Sequence, residues 1–410
     1  MKYVISGPEN PLQDTIYLPS SKSISNRMLV MHALAGGGPE PANLSDSDDT
    51  RCLRLALESS HPVRDIGHAG TAMRFLTAYF ALKRERVVLT GSQRMKERPV
   101  GPLVSALREL GASIRYLEKE GCPPLEITGG LEKGGSIQVD GGISSQFISA
   151  LMMVGPRLQG GLHISLGGEV VSSTYIRMTL ALMQRGGIKA SFNGGKIRIS
   201  EGTYHFGLFE VESDWSGASY WYEVAALFPG SVITLPNLEK KSLQGDAVLP
   251  GLFKPLGVSS HFRHNTLTIR SDGLVCSATY LADLTGSPDL VQTLAATLCA
   301  MGVPFRLTGT RTLRIKETDR IAALKKELGK LGFRIESGPN GDWIGWDGNR
   351  GGPLPDPVIE TYHDHRMAMA FAPLAIAFGK VSISDPNVVS KSYPGFWADL
   401  KKTGFRVSVP

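Results

Sequence analysis

The sequence has 410 residues, of which 42% are hydrophobic and 20% charged, with a formal net charge of +6. These are globular values for a chain too long to be served by one hydrophobic core, so two domains are expected. No apolar run of about 18 residues occurs and no secretory pattern follows Met1, which excludes a membrane-spanning chain and leads us to expect a cytoplasmic one.

In chain order, the first predicted helix follows Pro19-Ser20-Ser21, carries Lys22 and Arg27 in its early turns, and is apolar through Met28, Leu29, Met31 and Leu34. A shortened repeat is expected at Leu53 to Val63. Gly70-Thr71 opens a helix bearing Arg74. Arg94 to Arg98 run into Pro99, read as the first position of a further helix. After this the pattern becomes regular: an amphipathic helix, a glycine, then a strand, with the glycines at 111, 187, 257, 332 and 404, about 70 to 76 residues apart. Each of these glycines suits a helix C-terminal position that needs positive φ. Asn193-Gly194, His264-Asn265 and Asn340-Gly341 are read as hairpin turns. Further helices are expected at Ser145 to Val154, from Thr174-Tyr175, from Asp214, at Ser287 to Ala300, from Lys316 to Arg320, and at His365 to Ala377. The pattern yields six α/β units in two sets of three, with the break near Glu210 to Ser213.

Cys52, Cys122, Cys276 and Cys299 show no ligand spacing and are expected to be buried thiols, with neither a structural zinc nor a disulfide framework. His363, Asp364 and His365 fit no compact metal-ligand set, so no metal is expected. The lysines and arginines form neither a tail nor a continuous stripe, which argues against nucleic acid as the partner. Instead they gather at helix starts, where the macrodipole normally favours Asp and Glu. Lys22, Arg74, Arg94, Arg98, Arg177, Lys316, Arg320 and Arg366 all sit this way, and Lys391 lies three residues before Pro394. Cations on positive helix ends are unfavourable unless an anion joins them, so the pattern predicts an enzyme for small, multiply anionic substrates. Three pairs, Ser23 with Arg27, Lys316 with Arg320 and Arg94 with Arg98, are spaced to share a helix face. Ser287-Pro288-Asp289 reads equally as an ordinary helix start and as a site for a catalytic acid.

Read in order, Leu18 to Arg27, Ala69 to Arg74, Arg94 to Pro99, Ser144 to Phe147, Lys316 to Arg320 and Asp364 to Met369 closely resemble the 3-phosphoshikimate 1-carboxyvinyltransferase family, the EPSP synthases. The resemblance implies an α/β fold of two domains, residues 20–213 and residues 1–19 with 214–410. Each would hold three βαβαββ repeats with helix N-termini facing an inter-domain cleft. The first would bind mainly shikimate 3-phosphate; the second would contribute to the phosphoenolpyruvate clamp and carry the catalytic carboxylates. The implied reaction moves the enolpyruvyl group of phosphoenolpyruvate to the 5-hydroxyl of shikimate 3-phosphate by addition and elimination, in aromatic amino-acid biosynthesis. By the same resemblance Lys22, Gly70, Arg94, Gln146, Arg320, Arg366 and Lys391 would hold phosphoenolpyruvate. Lys22, Ser23, Arg27, Ser144, Ser145, Gln146, Ser172, Tyr175, Asp289, Thr312 and Lys316 would hold shikimate 3-phosphate. Asp289, Glu317 and Lys22 would move protons. No cofactor is implied, and the partners would be these small molecules, with neither nucleic acid nor membrane, acting on a monomer. The family's pattern is departed from at His68, at Ser213 to Gly217 and at Thr312, which bears on affinity. The alternative is the sister enolpyruvyl transferase for UDP-N-acetylglucosamine, whose reactive loop cysteine has no counterpart between Gly91 and Gly101.

Overall fold

A computed structural model describes residues 1–142, 144–168, 170–273 and 278–409. The chain forms two compact units, one of Ser20–Val211 and one of Met1–Pro19 with Glu212–Pro410. The division falls after Val211, within the stretch Glu210 to Ser213 expected from the pattern and two residues before the boundary at 213 that the resemblance implied.

One topology recurs five times. In its longest copy, strand Lys133–Asp140 leads through helix Ser145–Val154 to a parallel strand, Gln159–Gly167. Helix Ser173–Arg185 then leads to the hairpin Ala190–Asn193 and Lys196–Ile199, whose second strand pairs with Gln159–Gly167. The sheet order is therefore first, second, fourth, third. The same order holds for the sheet spanning residues 63–129 and for those built on Val232–Pro236 and Phe305–Thr308; in the sheet built on Lys380–Ser384 the place of the fourth strand is taken by Lys2–Ser6. Two of these sheets borrow strands from the start of the chain. Gln13–Thr15 lies parallel to Val232–Pro236, and Lys2–Ser6 lies between Lys380–Ser384 and Arg406–Ser408.

The unit 20–211 holds two such sheets among its described residues, where three repeats were expected. The remaining segment has two helices, Lys22–Ala35 and Asp48–Glu58, but only an isolated parallel bridge between Ala42 and Glu210. Pro39 and Pro41 both precede Ala42 and cannot donate to a ladder, which keeps the pairing from extending toward the N-terminus. The expected short copy at 53–63 is instead the end of helix Asp48–Glu58 and the strand Val63–Asp65, which opens the next sheet.

The recurring glycine has the predicted conformation in every copy: Gly111, Gly187, Gly257, Gly332 and Gly404 have φ between 81° and 101°. A Cβ on Gly332 would also lie 2.5 Å from the Gly351 carbonyl oxygen. Turn chemistry places the hairpins too, although the loop after Asn193 is Gly194-Gly195, since Asn193 pairs with Lys196.

Helix Trp215–Leu227 is buried on nearly all sides, as a helix apolar all round must be, and encloses Trp215, Trp221 and Glu223. The helix expected at 365–377 is interrupted at Pro373, giving His365–Phe371, a 3-10 turn and Ala375–Phe378. That expected at 287–300 opens with a 3-10 turn, Pro288–Leu290, before Val291–Ala300. Pro99 precedes helix Gly101–Glu109 rather than starting it; Pro102 takes that place. Cys122 and Cys299 are buried free thiols, Cys52 is only half-buried, and Cys276 lies outside the described residues. Among the described residues no helix is long and apolar enough to cross a membrane.

Candidate active site

The reversal of charge at helix starts is present in the fold. Helices Lys22–Ala35, Gly70–Ala81, Ser145–Val154, Ser173–Arg185, Trp215–Leu227, Arg320–Lys330 and His365–Phe371 all lack an acidic residue in the first turn.

In the unit containing residues 212–410, the starts of helices Arg320–Lys330 and His365–Phe371 and the turn Pro288–Leu290 converge on Arg320. Asp319 caps the helix, so Lys316 and Glu317 precede it instead of sharing a helical face with Arg320, yet all three reach the same cluster. The Arg320 guanidinium, only 2% exposed, donates from Nε to Asp364 Oδ2 at 2.7 Å, from Nη1 to Asp289 Oδ1 at 3.0 Å and from Nη2 to Glu317 Oε2 at 2.9 Å. Arg366 Nη2 donates to Asp289 Oδ2 at 2.8 Å, Lys391 Nζ lies 3.0 Å from Glu317 Oε1, and Lys316 Nζ lies 3.8 Å from Asp289 Oδ1. Asp364 caps its own helix by accepting from the Arg366 backbone N–H while it grips Arg320. The two residues before it, Tyr362 and His363, both have positive φ, which is costly for side chains of this size. Glu327 holds that turn by accepting from the Tyr362 hydroxyl and the Glu360 backbone N–H.

Four cations, Lys316, Arg320, Arg366 and Lys391, thus share three carboxylates. Burial works against ionisation of Asp289, but the field of Arg366, Lys316 and Arg320 outweighs it and holds the carboxyl well below its ordinary range. Burial likewise opposes the Arg320 charge, and Asp364, Glu317 and Asp289 overrule it. Lys316 goes the other way: burial lowers its ammonium despite the pull of Asp289.

In the unit 20–211, Arg27 knits three helices together. It donates to Thr179 Oγ1 at 2.7 Å, to Ser149 Oγ at 3.1 Å and to the Ser23 carbonyl at 2.9 Å, with the Phe75 and Tyr175 rings 5.4 and 5.8 Å away. These hydrogen-bond partners are neutral, and burial pushes the guanidinium down to about 10. The starts of these helices carry Lys22 and Ser23, Ser144 to Gln146, and Ser172 with Tyr175. Gln146 Nε2 donates to Thr71 Oγ1 at 3.2 Å, adding the helix that begins at Gly70. Lys22 Nζ lies 3.4 Å from the buried Asp49. Ser172 sits in the left-handed region with φ 54°.

Two predicted positions fare differently. Arg94 is about half exposed and ion-paired with Glu97 at 3.0 Å across a 3-10 turn, Met95–Glu97. Arg98 instead lies over Gly70, where a Cβ would come within 2.4 Å of Nη1, and its Nε is buried without a hydrogen-bond partner. Arg98 thus has the geometry sought from Arg94. Thr312 stands in the turn Arg311–Ile315, its hydroxyl buried without a partner. Sequence reasoning missed Asp364 as part of the cluster. Asp364 carried one usable signal, an N-cap acid directly before His365-Arg366.

The family model for EPSP synthase (3-phosphoshikimate 1-carboxyvinyltransferase) matches residues 52–400. A relative from Bacteroides fragilis named 3-phosphoshikimate 1-carboxyvinyltransferase is 48% identical, covering 100% of this chain and 99% of its own. One of the same name from Methanospirillum hungatei is 37% identical, covering 94% of each. The solved EPSP synthase of Acinetobacter baumannii has a TM-score of 0.75 over 100% of both chains at 22% identity, a likeness of fold.

Proposed function

The chain belongs to the EPSP synthase family, and from that premise we propose that it transfers the enolpyruvyl group of phosphoenolpyruvate to the 5-hydroxyl of shikimate 3-phosphate, releasing phosphate. The observation that carries the assignment of roles is the shared cluster of Arg320, Arg366, Lys391 and Lys316 with Asp289 and Glu317. Phosphoenolpyruvate offers a phosphate and a carboxylate to the cations. As these turn to the substrate, Asp289 loses the cations that hold its carboxyl down and Glu317 loses its ion pairs with Arg320 and Lys391, so that either can accept a proton. One takes the proton of the attacking hydroxyl as its oxygen bonds to C2, and C3 gains a proton to complete the tetrahedral adduct. Breaking the C2–O bond to phosphate and removing a C3 proton then restores the C2–C3 double bond and gives the enol ether product. The excess of cations favours the departing phosphate.

Arg98, Lys22 and Gln146 in the other unit supply further donors for phosphoenolpyruvate, with Arg98 in place of Arg94. Ser23, Ser144, Ser145, Ser172, Tyr175, Lys316 and Thr312 supply donors for shikimate 3-phosphate, and Arg27 fixes the helices that carry several of them. The purified protein should release phosphate from phosphoenolpyruvate only when shikimate 3-phosphate is present. Turnover with UDP-N-acetylglucosamine in its place would overturn the reading.

A further inference from the structure

Asp246 stands one hydroxyl away from the cluster. It lies in the 3-10 turn Gly245–Val248, only 4% exposed, and its Oδ2 accepts from Ser216 Oγ. Having given its proton to Asp246, Ser216 Oγ can only accept from Arg366 Nη2 at 3.4 Å, the same nitrogen that donates to Asp289 Oδ2. A chain therefore runs from Asp246 through Ser216 and Arg366 to Asp289. The turn is pinned on both sides: Ser287 Oγ donates to the Gly245 carbonyl, and Gln244 Oε1 accepts from the Trp215 backbone N–H. Asp246 Oδ1 is buried with no hydrogen-bond partner, a poor setting for a full carboxylate charge.

We propose that Asp246 is a positioning residue for the clamp, whose charge state sets how strongly Arg366 and Arg320 hold an anion. The charged groups around it are Asp214 at the start of helix Trp215–Leu227, Asp289 in the turn Pro288–Leu290, and Arg366 on helix His365–Phe371; Lys316, Glu317 and Arg320 lie beyond Asp289. Burial first, then repulsion from Asp289, push the carboxyl up to about 7 against the pull of Arg366. Ionising Asp246 adds one negative charge beside Arg366, lowers the positive potential that the clamp presents to an anion and draws Arg366 toward Ser216. An arriving anion therefore favours the neutral form, so binding takes up a proton at Asp246 and affinity falls as pH rises through its ionisation.

The inference rests on the proposed clamp, and three measurements separate the two. Asp246→Asn keeps the shape and an acceptor for Ser216 but cannot ionise. In the wild-type enzyme kcat/KM for phosphoenolpyruvate should fall by up to about tenfold per pH unit above neutrality. The variant should lose that limb, its kcat/KM staying level from pH 6 to pH 8. Calorimetric binding of sulfate, whose own charge is constant here, in two buffers of different ionisation enthalpy should show uptake of about half a proton at pH 7 in the wild-type protein alone. This holds whether or not the variant folds. Arg366→Ala is the control for the clamp: if it leaves phosphoenolpyruvate affinity intact, the clamp reading fails. If it weakens binding while Asp246→Asn keeps the wild-type alkaline limb, or sulfate brings no proton uptake, the role of Asp246 is overturned.

Discussion

Replacing Arg320 by Met removes the guanidinium and keeps much of its volume, and the structure specifies what each partner then has left. Asp289 retains Arg366 at 2.8 Å, and Glu317 retains Lys391 at 3.0 Å. Asp364, fully buried, keeps only the Arg366 backbone N–H and the edge of the His365 ring at 3.6 Å. Stripping one partner from a buried pair costs roughly 3 to 5 kcal/mol. For a unit of about 200 residues this is a fall in Tm of roughly 6 to 20 °C. The double variant Arg320→Met with Asp364→Asn no longer buries the orphaned charge and should regain at least about half of that loss. Binding should not recover with it. Losing a charge-assisted hydrogen bond of about 1.5 to 3 kcal/mol should weaken phosphoenolpyruvate roughly 10- to 150-fold in both variants. Thermal unfolding read beside a phosphoenolpyruvate titration separates the two effects. A single variant within about 1 kcal/mol of wild type, or a double variant no more stable than the single, would refute the reasoning.

Three other outcomes follow from particular residues. Glu317→Gln should lower kcat about 100-fold or more with substrate affinity retained, checked by pre-steady-state phosphate release; normal turnover would move the proton to Asp289 or Lys22. Gly332→Ala should shift the urea midpoint further than Gly187→Ala. Both force a side chain into positive φ, at about 1 kcal/mol, but only Gly332 also meets a backbone oxygen. Glu223→Gln should stabilise the protein at neutral pH. Burial raises the folded-state pKa of Glu223 well above its ordinary value, so as pH climbs past about 4.3 the unfolded chain sheds this proton first and folded stability drops. The glutamine variant lacks that slope, and its gain in Tm should be larger at pH 8 than at pH 5.

Sequence reveals a feature where its cause is local. Gly111, Gly187, Gly257, Gly332 and Gly404 were visible because a chain leaving a helix through the left-handed region demands glycine, whatever packs nearby. The cations at helix starts were visible for the same kind of reason, as departures from the preference set by the macrodipole. Contacts between distant segments were not. Arg94 and Arg98 are equivalent in the linear pattern and differ only in which one meets Gly70. Asp364 lies 44 residues from Arg320, and Asp246 lies in a turn with no periodicity to mark it. The absent sheet around Ala42 depended on two prolines whose effect is clear only when the partner strand, some 170 residues away, is known. The place of residues 1–19 was implied by resemblance alone, because nothing in Lys2–Ser6 announces a partner at Lys380–Ser384.

That strand has a consequence for how the protein comes to exist. Lys2–Ser6 lies between strands Lys380–Ser384 and Arg406–Ser408, and the Ser408 hydroxyl bonds the Val4 carbonyl across a separation of 404 residues. At a synthesis rate of about 5 to 20 residues per second, this edge-competent strand waits on the order of tens of seconds for either neighbour. The unit 20–211 is contiguous and can close during that interval, so it emerges finished while its flanks are still incomplete. On the ribosome the exposed strand near the start, apolar at Val4 and Ile5, is where a holding chaperone would be needed.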